Sequence, residues 1–220
     1  MENTGVFTIE ELRPIRDGLT VSRDSGLGLA TKVNFFSLGK GTDISAERYD
    51  HMTLYIGAAG RGELLLGPEG TSRVLAPDTA LIVPGGMLCG MAAGEGFVYT
   101  EVIPDISEEE ITMNDKITPG EVFALKDMID YEEGSIANLD VVSNSTMKYV
   151  LMAFDTGTQL MPHRAPGNAI VFALEGEATI GYEGEVYHLH AGECFRFAKD
   201  GLHSVMARGR FKMALLLVLE

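Results

Sequence analysis

Short segments in which apolar and polar residues alternate recur along the whole chain. Thr31–Leu38 is one of them, the largely apolar run Met147–Phe154 lies at the equivalent place later in the chain, and turn-forming runs occur at residues 38–42, 68–70 and 182–185. Alternate side chains of a β-strand share a face, so a period of two predicts strands with one buried face. Many short strands with closely spaced turns, and almost no long helical period, predict an all-β barrel or sandwich.

Two short segments favour helix and precede similar stretches of sequence. Thr8-Ile-Glu-Glu11 matches a capping box, in which a hydroxyl and a glutamate bind the free amides at a helix start. Residues 123–130, Phe-Ala-Leu-Lys-Asp-Met-Ile-Asp, occupy the matching place later in the chain. We therefore expect a short helix beside each of two β-rich regions.

The second half of the chain repeats the first. An offset of 116 residues aligns the two halves, and it becomes 114 after a hairpin because the first copy has a longer turn at residues 67–70. Self-similarity at a fixed offset indicates a duplicated structural unit. The aligned pairs are Phe7 with Phe123, Gly18 with Gly134, Lys32 with Lys148, Gly41 with Gly157, Gly60 with Gly176, Leu75 with Leu189, Val83 with Phe197 and Phe97 with Phe211.

The repeat predicts two domains joined by an acidic surface connector. It places an N-terminal barrel at residues 1–104, the connector at residues 105–119 and a C-terminal barrel at residues 120–220. Within the connector, Ser107 and Glu110 have the spacing to cap one helical turn.

Charge and composition exclude several classes of partner. The formal net charge is −15 at pH 7, so no basic stripe can neutralise phosphates and an anionic membrane would repel the chain. The chain contains no uncharged apolar run of about 18 residues, so no transmembrane helix is predicted. No signal-peptide pattern is visible. Two cysteines, Cys89 and Cys194, cannot build a disulfide framework and suit a reducing compartment. We expect a cytoplasmic protein with no nucleic-acid or membrane partner.

Two histidine segments bounded by glycine carry the clearest chemical signal. Gly157, His163 and Gly176 define the first segment, and Gly192 and His203 define the second. Their spacing resembles the two signature motifs of the cupin superfamily, G-x5-H-x-H-x3,4-E-x6-G and G-x5-P-x-G-x2-H-x3-N. The resemblance covers nearly the full chain. It implies two tandem cupin-type β-barrels, a bicupin of double-stranded β-helix or jelly-roll topology.

The resemblance also implies four metal-ligand positions in the C-terminal barrel. His163, Ala165, Ala169 and His203 occupy them, so alanine replaces two of the four usual ligands. The two histidines are then expected to converge at the barrel mouth. Imidazole binds Zn, Fe, Ni or Cu, and Mn is used in related sites, so one divalent transition metal is a candidate cofactor. The alternative is a metal-free pocket in which both histidines form hydrogen bonds.

Strand alternation predicts which neighbours share the face of His163. Gln159 and Met161 lie four and two residues before it and Ala165 two after, so all three are expected on that face. Gln159 is the candidate for a third metal ligand, and Met161, Ala165 and Ala169 are candidate pocket residues. A further pair, His188 and His190, precedes the second motif and is interpreted as a surface pair.

The N-terminal copy keeps the pattern with different chemistry. The repeat places Glu47 at the position of His163, Tyr49 at Ala165, Thr53 at Ala169 and Cys89 at His203. Glu47 and Cys89 have the chemistry of metal ligands, or of a base and a nucleophile. The alternative is a structural barrel in which Cys89 is a small buried hydrophobe. We include Glu47, Tyr49 and Cys89 among the candidate pocket residues.

The sequence leaves two main functions open. In the first, the C-terminal barrel binds a small polar metabolite, and the protein can be a metal-dependent enzyme that acts on it. His163 and His203 would then serve as metal ligands or as acid–base groups. The other is a non-catalytic binding or sensing bicupin with vestigial metal sites. A purely structural assembly is a third hypothesis. The resemblance also implies a homodimer, because cupins commonly dimerise; the alternative is a monomer in which the duplication itself supplies the second barrel.

Overall fold

The computed structural model of the chain describes residues 5–104 and 111–219. Strand makes up 59% of it and helix 3%, which confirms the predicted all-β fold. Helix α1 (Ile9–Leu12) begins directly after Thr8, and a 3₁₀ turn at Leu125–Asp127 lies within the second predicted helical segment. The turn predicted at Ser107 and Glu110 lies outside the described residues. None of the helices in the described ranges has the length and apolarity needed to cross a membrane.

The chain divides into two compact units. Of the described residues, the N-terminal unit comprises 9–104, 111 and 115–124, and the C-terminal unit comprises 5–8, 112–114 and 125–219. Strands are numbered in chain order. Those of the N-terminal unit are β2 (Thr20–Asp24), β3 (Thr31–Leu38), β4 (Thr42–Arg48), β5 (Thr53–Gly60), β6 (Gly62–Leu66), β7 (Thr71–Leu75), β8 (Thr79–Val83), β9 (Leu88–Ala93), β10 (Phe97–Pro104) and β12 (Val122–Ala124). Those of the C-terminal unit are β1 (Val6–Phe7), β11 (Thr112–Met113), β13 (Ile136–Ser143), β14 (Met147–Phe154), β15 (Gln159–Arg164), β16 (Asn168–Glu175), β17 (Glu177–Tyr182), β18 (Glu185–His190), β19 (Cys194–Phe197), β20 (Leu202–Ala207) and β21 (Phe211–Val218).

Each unit contains one large and one four-stranded antiparallel sheet. The N-terminal unit has the orders β12-β8-β5-β10-β3-β2 and β4-β9-β6-β7. The C-terminal unit has the orders β1-β19-β16-β21-β14-β13-β11 and β15-β20-β17-β18. In both units the core combines inward-facing residues of the two sheets, including Leu64 and Phe97 in one and Ile180 and Phe211 in the other. Apart from the edge strand β11, which has no counterpart in the described part of the N-terminal unit, the same strand order therefore occurs twice, as the repeat predicts.

The boundaries of the two units differ from residues 104 and 120, which the repeat predicts as the domain boundaries. β1 extends the sheet of the C-terminal unit by pairing with β19, and β12 extends the sheet of the N-terminal unit by pairing with β8. Part of the expected connector also forms a strand, because β11 pairs with β13. Backbone hydrogen bonds complete these sheet edges and require no particular side chains, so the sequence pattern does not reveal them.

In both copies, the backbone of a turn requires the glycine that ends the first motif. Gly60 and Gly176 adopt φ values of 69° and 77°, in the left-handed region that favours glycine. A Cβ at Gly60 would lie 2.2 Å from the carbonyl oxygen of Gly96, and one at Gly176 would lie 2.1 Å from that of Arg210. The turn therefore admits no side chain in either unit.

Candidate functional site

A β-bulge determines which side chains accompany His163. In the pairing of β15 with β20, Gln159 lies opposite Met206 and Leu160 opposite Val205, and then the register shifts so that His163 lies opposite His203. The extra residue inverts the alternation. Leu160 therefore shares the inner face with His163, whereas Gln159 lies on the outer face and is exposed.

The bulge corrects the expected face of Gln159 and Met161. Strict alternation would place both beside His163, but alternation holds only where no residue is inserted. Met161 lies within the bulge and its side chain is 65% exposed. Neither residue accompanies the histidine pair on the inner face.

The structure brings His163 and His203 together. Their ring centroids are 4.2 Å apart, with an angle of 52° between the ring planes. His203 is only 8% exposed and stacks on Phe197 with a centroid distance of 4.0 Å, whereas His163 is exposed. In this pair, the His203 imidazole is buried against the Phe197 ring, whereas the His163 imidazole is open to solvent.

Backbone carbonyl groups fix which tautomer each imidazole adopts in its neutral form. Nδ1 of His163 lies 2.8 Å from the Met161 carbonyl oxygen, and Nδ1 of His203 lies 3.1 Å from that of Gly201. A carbonyl oxygen can only accept a hydrogen bond, so each Nδ1 carries the hydrogen. Each neutral ring therefore keeps the lone pair on Nε2, the atom that can accept a hydrogen bond from a ligand or bind a metal.

Burial lowers the pKa of His203 below its usual value of 6.5. The nearby His163 lowers it further, and the hydrogen bond with the Gly201 carbonyl partly offsets both effects. Since the neutral form is favoured, His203 presents an uncharged imidazole near pH 7.

Two of the four positions that the motif assigns to ligands lie in the apolar core. Ala165 and Ala169 are each 2% exposed, and Ala169 pairs with Phe197 across β16 and β19. Within the described part of the chain, no group of three or more His, Cys, Asp or Glu side chains is placed to hold a metal ion. The histidine pair is thus short of the three protein ligands that catalytic metal sites usually have.

The other histidines of this unit lie elsewhere. His188 and His190 are exposed on β18. Nδ1 of His190 is 3.0 Å from Oε2 of Glu193, and Nδ1 of His188 is 3.3 Å from an Arg208 guanidinium nitrogen. Their positions agree with the surface pair that the sequence predicts.

The N-terminal unit repeats the bulge and the pairing with other residues. Ile44 lies opposite Met91, the register shifts, and Glu47 then lies opposite Cys89. Glu47 is exposed, whereas Cys89 is buried, and burial raises the pKa of its thiol to about 11 although a hydrogen bond with Tyr55 opposes this. The thiol is therefore protonated at neutral pH, which favours the small buried hydrophobe over the nucleophile.

A small cavity lies inside the N-terminal unit. Its volume is about 40 Å³, and Tyr49 and Cys89 line it, together with Tyr55, Tyr99 and Glu101. The sequence pattern misses the last three because Tyr55 lies at a variable position of the first motif, and Tyr99 and Glu101 lie after the second motif. The signal that could have revealed them is Glu101, a carboxylate in the otherwise apolar run Phe97-Val-Tyr-Thr-Glu-Val-Ile.

Comparison with known proteins supports the fold. Residues 150–219 match the Cupin_2 family, described as a cupin domain. A "Cupin 2 conserved barrel domain protein" from Leptotrichia buccalis has a TM-score of 0.86 at 24% identity, over 99% of this chain and 98% of that chain. A salicylate 1,2-dioxygenase from Pseudoaminobacter salicylatoxidans, in a structure of its adducts with gentisate, has a TM-score of 0.68 at 13% identity, over 96% of this chain and 80% of that chain. AerE from Microcystis aeruginosa has a TM-score of 0.53 at 15% identity, over 91% of this chain and 98% of that chain.

No curated protein sequence gives a significant match. The repeated two-sheet units, the motif glycines and these structural similarities nevertheless agree with one another. The chain therefore has a cupin-type fold, and its residues 150–219 match the cupin-domain family.

Proposed function

We propose that the chain is a bicupin that binds a small polar ligand at the paired imidazoles of His163 and His203. The observation that carries the proposal is the state of the two rings. Both Nδ1 atoms are bonded to backbone carbonyls, so two Nε2 atoms within one ring pair are left for a ligand. Paired groups of defined tautomer can recognise hydroxyl or ammonium donors by geometry.

The surroundings of the pair indicate what the ligand resembles. His203 is neutral, and its Nδ1–H is bonded to the Gly201 carbonyl, so a ligand with hydroxyl donors suits the free Nε2. The similar dioxygenase structure holds adducts with gentisate, a small aromatic acid that carries hydroxyl groups. Gentisate is therefore the first compound to test.

A metal-dependent enzyme is the second candidate, because the same two Nε2 lone pairs suit one divalent Zn, Fe, Ni, Mn or Cu ion. The donor set fits such an ion poorly. Ala165 and Ala169 supply no ligand atoms, and Gln159 lies on the opposite face of its strand. We therefore derive no catalytic step through a metal.

The test compares wild-type protein with His163→Ala and His203→Ala, and uses His190→Ala as the matched control. We expect gentisate to raise the melting temperature of wild type and of the control, and to lose this effect in both site variants. Elemental analysis of untagged protein is expected to find less than one equivalent of transition metal. A stoichiometric metal that both site variants lose would replace this proposal with the metal-dependent enzyme. Unchanged gentisate binding in the site variants would overturn it.

Two further expectations stay predictions. Analytical ultracentrifugation tests the homodimer, and fractionation of cells tests the cytoplasmic location.

A further inference from the structure

We propose that the N-terminal unit has a binding site of its own, in which Glu101 and the surrounding tyrosines take up a small alkylammonium cation. This site is separate from the histidine pair, and its residues come from the other copy of the repeat.

The strand register places Glu101 at the centre of a polar row. In β10, Glu101 lies opposite Asn34 of β3 on one side and opposite Tyr55 of β5 on the other. The Asn34 side chain donates a hydrogen bond of 3.2 Å to Oε2 of Glu101. Among the described residues this is the one side-chain hydrogen bond to the carboxyl group, so the other oxygen is available to a ligand.

The repeat shows that the fold does not need this row. At the equivalent positions the C-terminal unit has Val150, Leu215 and Val171, which pair in the same way across β14, β21 and β16. An apolar row therefore satisfies the same architecture. Burying a carboxyl group with one hydrogen bond destabilises a protein, and Glu101 is only 4% exposed. A polar row at this position is thus better explained by a ligand than by folding.

The cavity beside Glu101 has aromatic walls. Tyr99 stacks on Phe36 with ring centroids 5.0 Å apart, and the Tyr55 ring lies 5.9 Å from that of Tyr99. All three rings line the cavity, together with Tyr49 and Glu101. The faces of aromatic rings attract cations, and this attraction is strongest where water is excluded.

The charges around Glu101 favour a cation over an anion. The groups that face it are Asn34 on β3, Glu47 on β4, Tyr49 after β4, Tyr55 on β5, Cys89 on β9 and Tyr99 on β10, and none of them is basic. Burial raises the pKa of Glu101 and the nearby Glu47 adds to this effect. Burial also raises the pKa of Tyr49 to about 12, so its hydroxyl stays neutral. A bound ammonium group would supply the missing positive charge and donate N–H groups to the carboxylate.

The size of the cavity limits the cation. A volume of about 40 Å³ compares with the roughly 10–15 Å³ that one water molecule needs by the same measure. There is room for about three water-sized groups, which suits methylammonium or ethylammonium and excludes bulky quaternary amines.

The test titrates methylammonium chloride into the full chain and follows the tyrosine and glutamate side-chain resonances and the melting temperature. Potassium chloride at equal ionic strength and methanol, a neutral molecule of similar size, are the controls. We expect saturable shifts at Tyr55, Tyr99 and Glu101 with methylammonium alone. Below the pKa of Glu101, affinity should rise about tenfold per pH unit as the carboxyl group loses its proton.

Variants then assign the site. Glu101→Gln, which is neutral and nearly isosteric, should abolish methylammonium binding, whereas His203→Ala, in the other unit, should leave it unchanged. Equal responses to potassium or methanol would overturn the proposal, and so would normal binding by Glu101→Gln. If Glu101→Gln fails to fold, the wild-type titration with its potassium and methanol controls still tests the proposal. If His203→Ala loses gentisate binding but still binds methylammonium, the two binding sites are independent of each other.

Discussion

Glu47 lies directly opposite Cys89 across β4 and β9, in the same bulged register that places His163 opposite His203 in the other unit. The backbone of the site is therefore duplicated, whereas its chemistry is not. One copy presents two imidazoles, and the other presents a carboxylate beside a protonated thiol. The two units consequently differ in what they can bind, although their strands follow the same order.

Replacing His163 with alanine should raise the pKa of His203. The charge of His163 lowers the pKa of His203, and its ring also covers part of the buried His203 ring. Both effects disappear when His163 is removed, and each loss raises the pKa. The pKa is measured by following the His203 imidazole carbon resonances against pH. His190→Ala is the control, because His190 lies on β18 and contacts Glu193 instead. An unchanged or lower pKa in His163→Ala would contradict the geometry of the pair.

His203 should also make the protein less stable in mild acid. Its pKa in the folded state lies below the unfolded value of 6.5, so on acidification the unfolded state takes up the proton first. The contribution to stability is fully present above pH 6.5 and is lost as the pH falls through the folded-state pKa. Urea unfolding across this window measures the effect. The loss should be smaller in His203→Gln, and an equal loss in both proteins would assign it to other groups.

The sequence could predict the parts of the site that depend on spacing. The repeat places His163 with His203 and Glu47 with Cys89, and both pairs occur in the observed register. It could not predict the face of Gln159, because a bulge inserts a residue without a composition signal and inverts the alternation after it. Glu101 was missed for a different reason, since its partners Asn34 and Tyr55 come from distant strands and only the sheet order brings them together.

Both cysteines should be unreactive in the folded protein. Cys89 and Cys194 are buried, and burial raises the pKa of each thiol, to about 11 for Cys89. At pH 7 only on the order of one Cys89 in ten thousand is then a thiolate, the form that reacts. A colourimetric thiol reagent should detect no rapid reaction in native protein and two thiols after unfolding in urea. A rapid native reaction that Cys89→Ser removes would restore Cys89 as a candidate nucleophile.

The turn glycine Gly176 should be far less replaceable than Gly184. Both have positive φ, at 77° and 90°, but a Cβ at Gly176 would lie 2.1 Å from the Arg210 carbonyl oxygen and one at Gly184 would meet nothing within 4 Å. Gly184→Ala should cost about 1–2 kcal/mol of unfolding free energy from backbone strain alone. Gly176→Ala adds the steric overlap and should cost more, roughly 3 kcal/mol or above. Urea denaturation measures both, and similar losses would show that the turn relaxes.

Glu101→Gln should stabilise the protein at neutral pH, which is the behaviour expected of a residue kept for binding. The folded-state pKa of Glu101 is raised by burial, so between the unfolded value of 4.5 and this raised pKa the folded state holds a proton that the unfolded state has lost. Wild type therefore loses stability as the pH rises through that window, and the glutamine variant does not. The difference in unfolding free energy should be small near pH 4 and should widen towards pH 8. Glu69→Gln, at an exposed turn of the same unit, should show no such widening. If Glu101→Gln is instead the less stable protein at pH 8, the carboxylate serves the fold, and the argument that a ligand explains it fails.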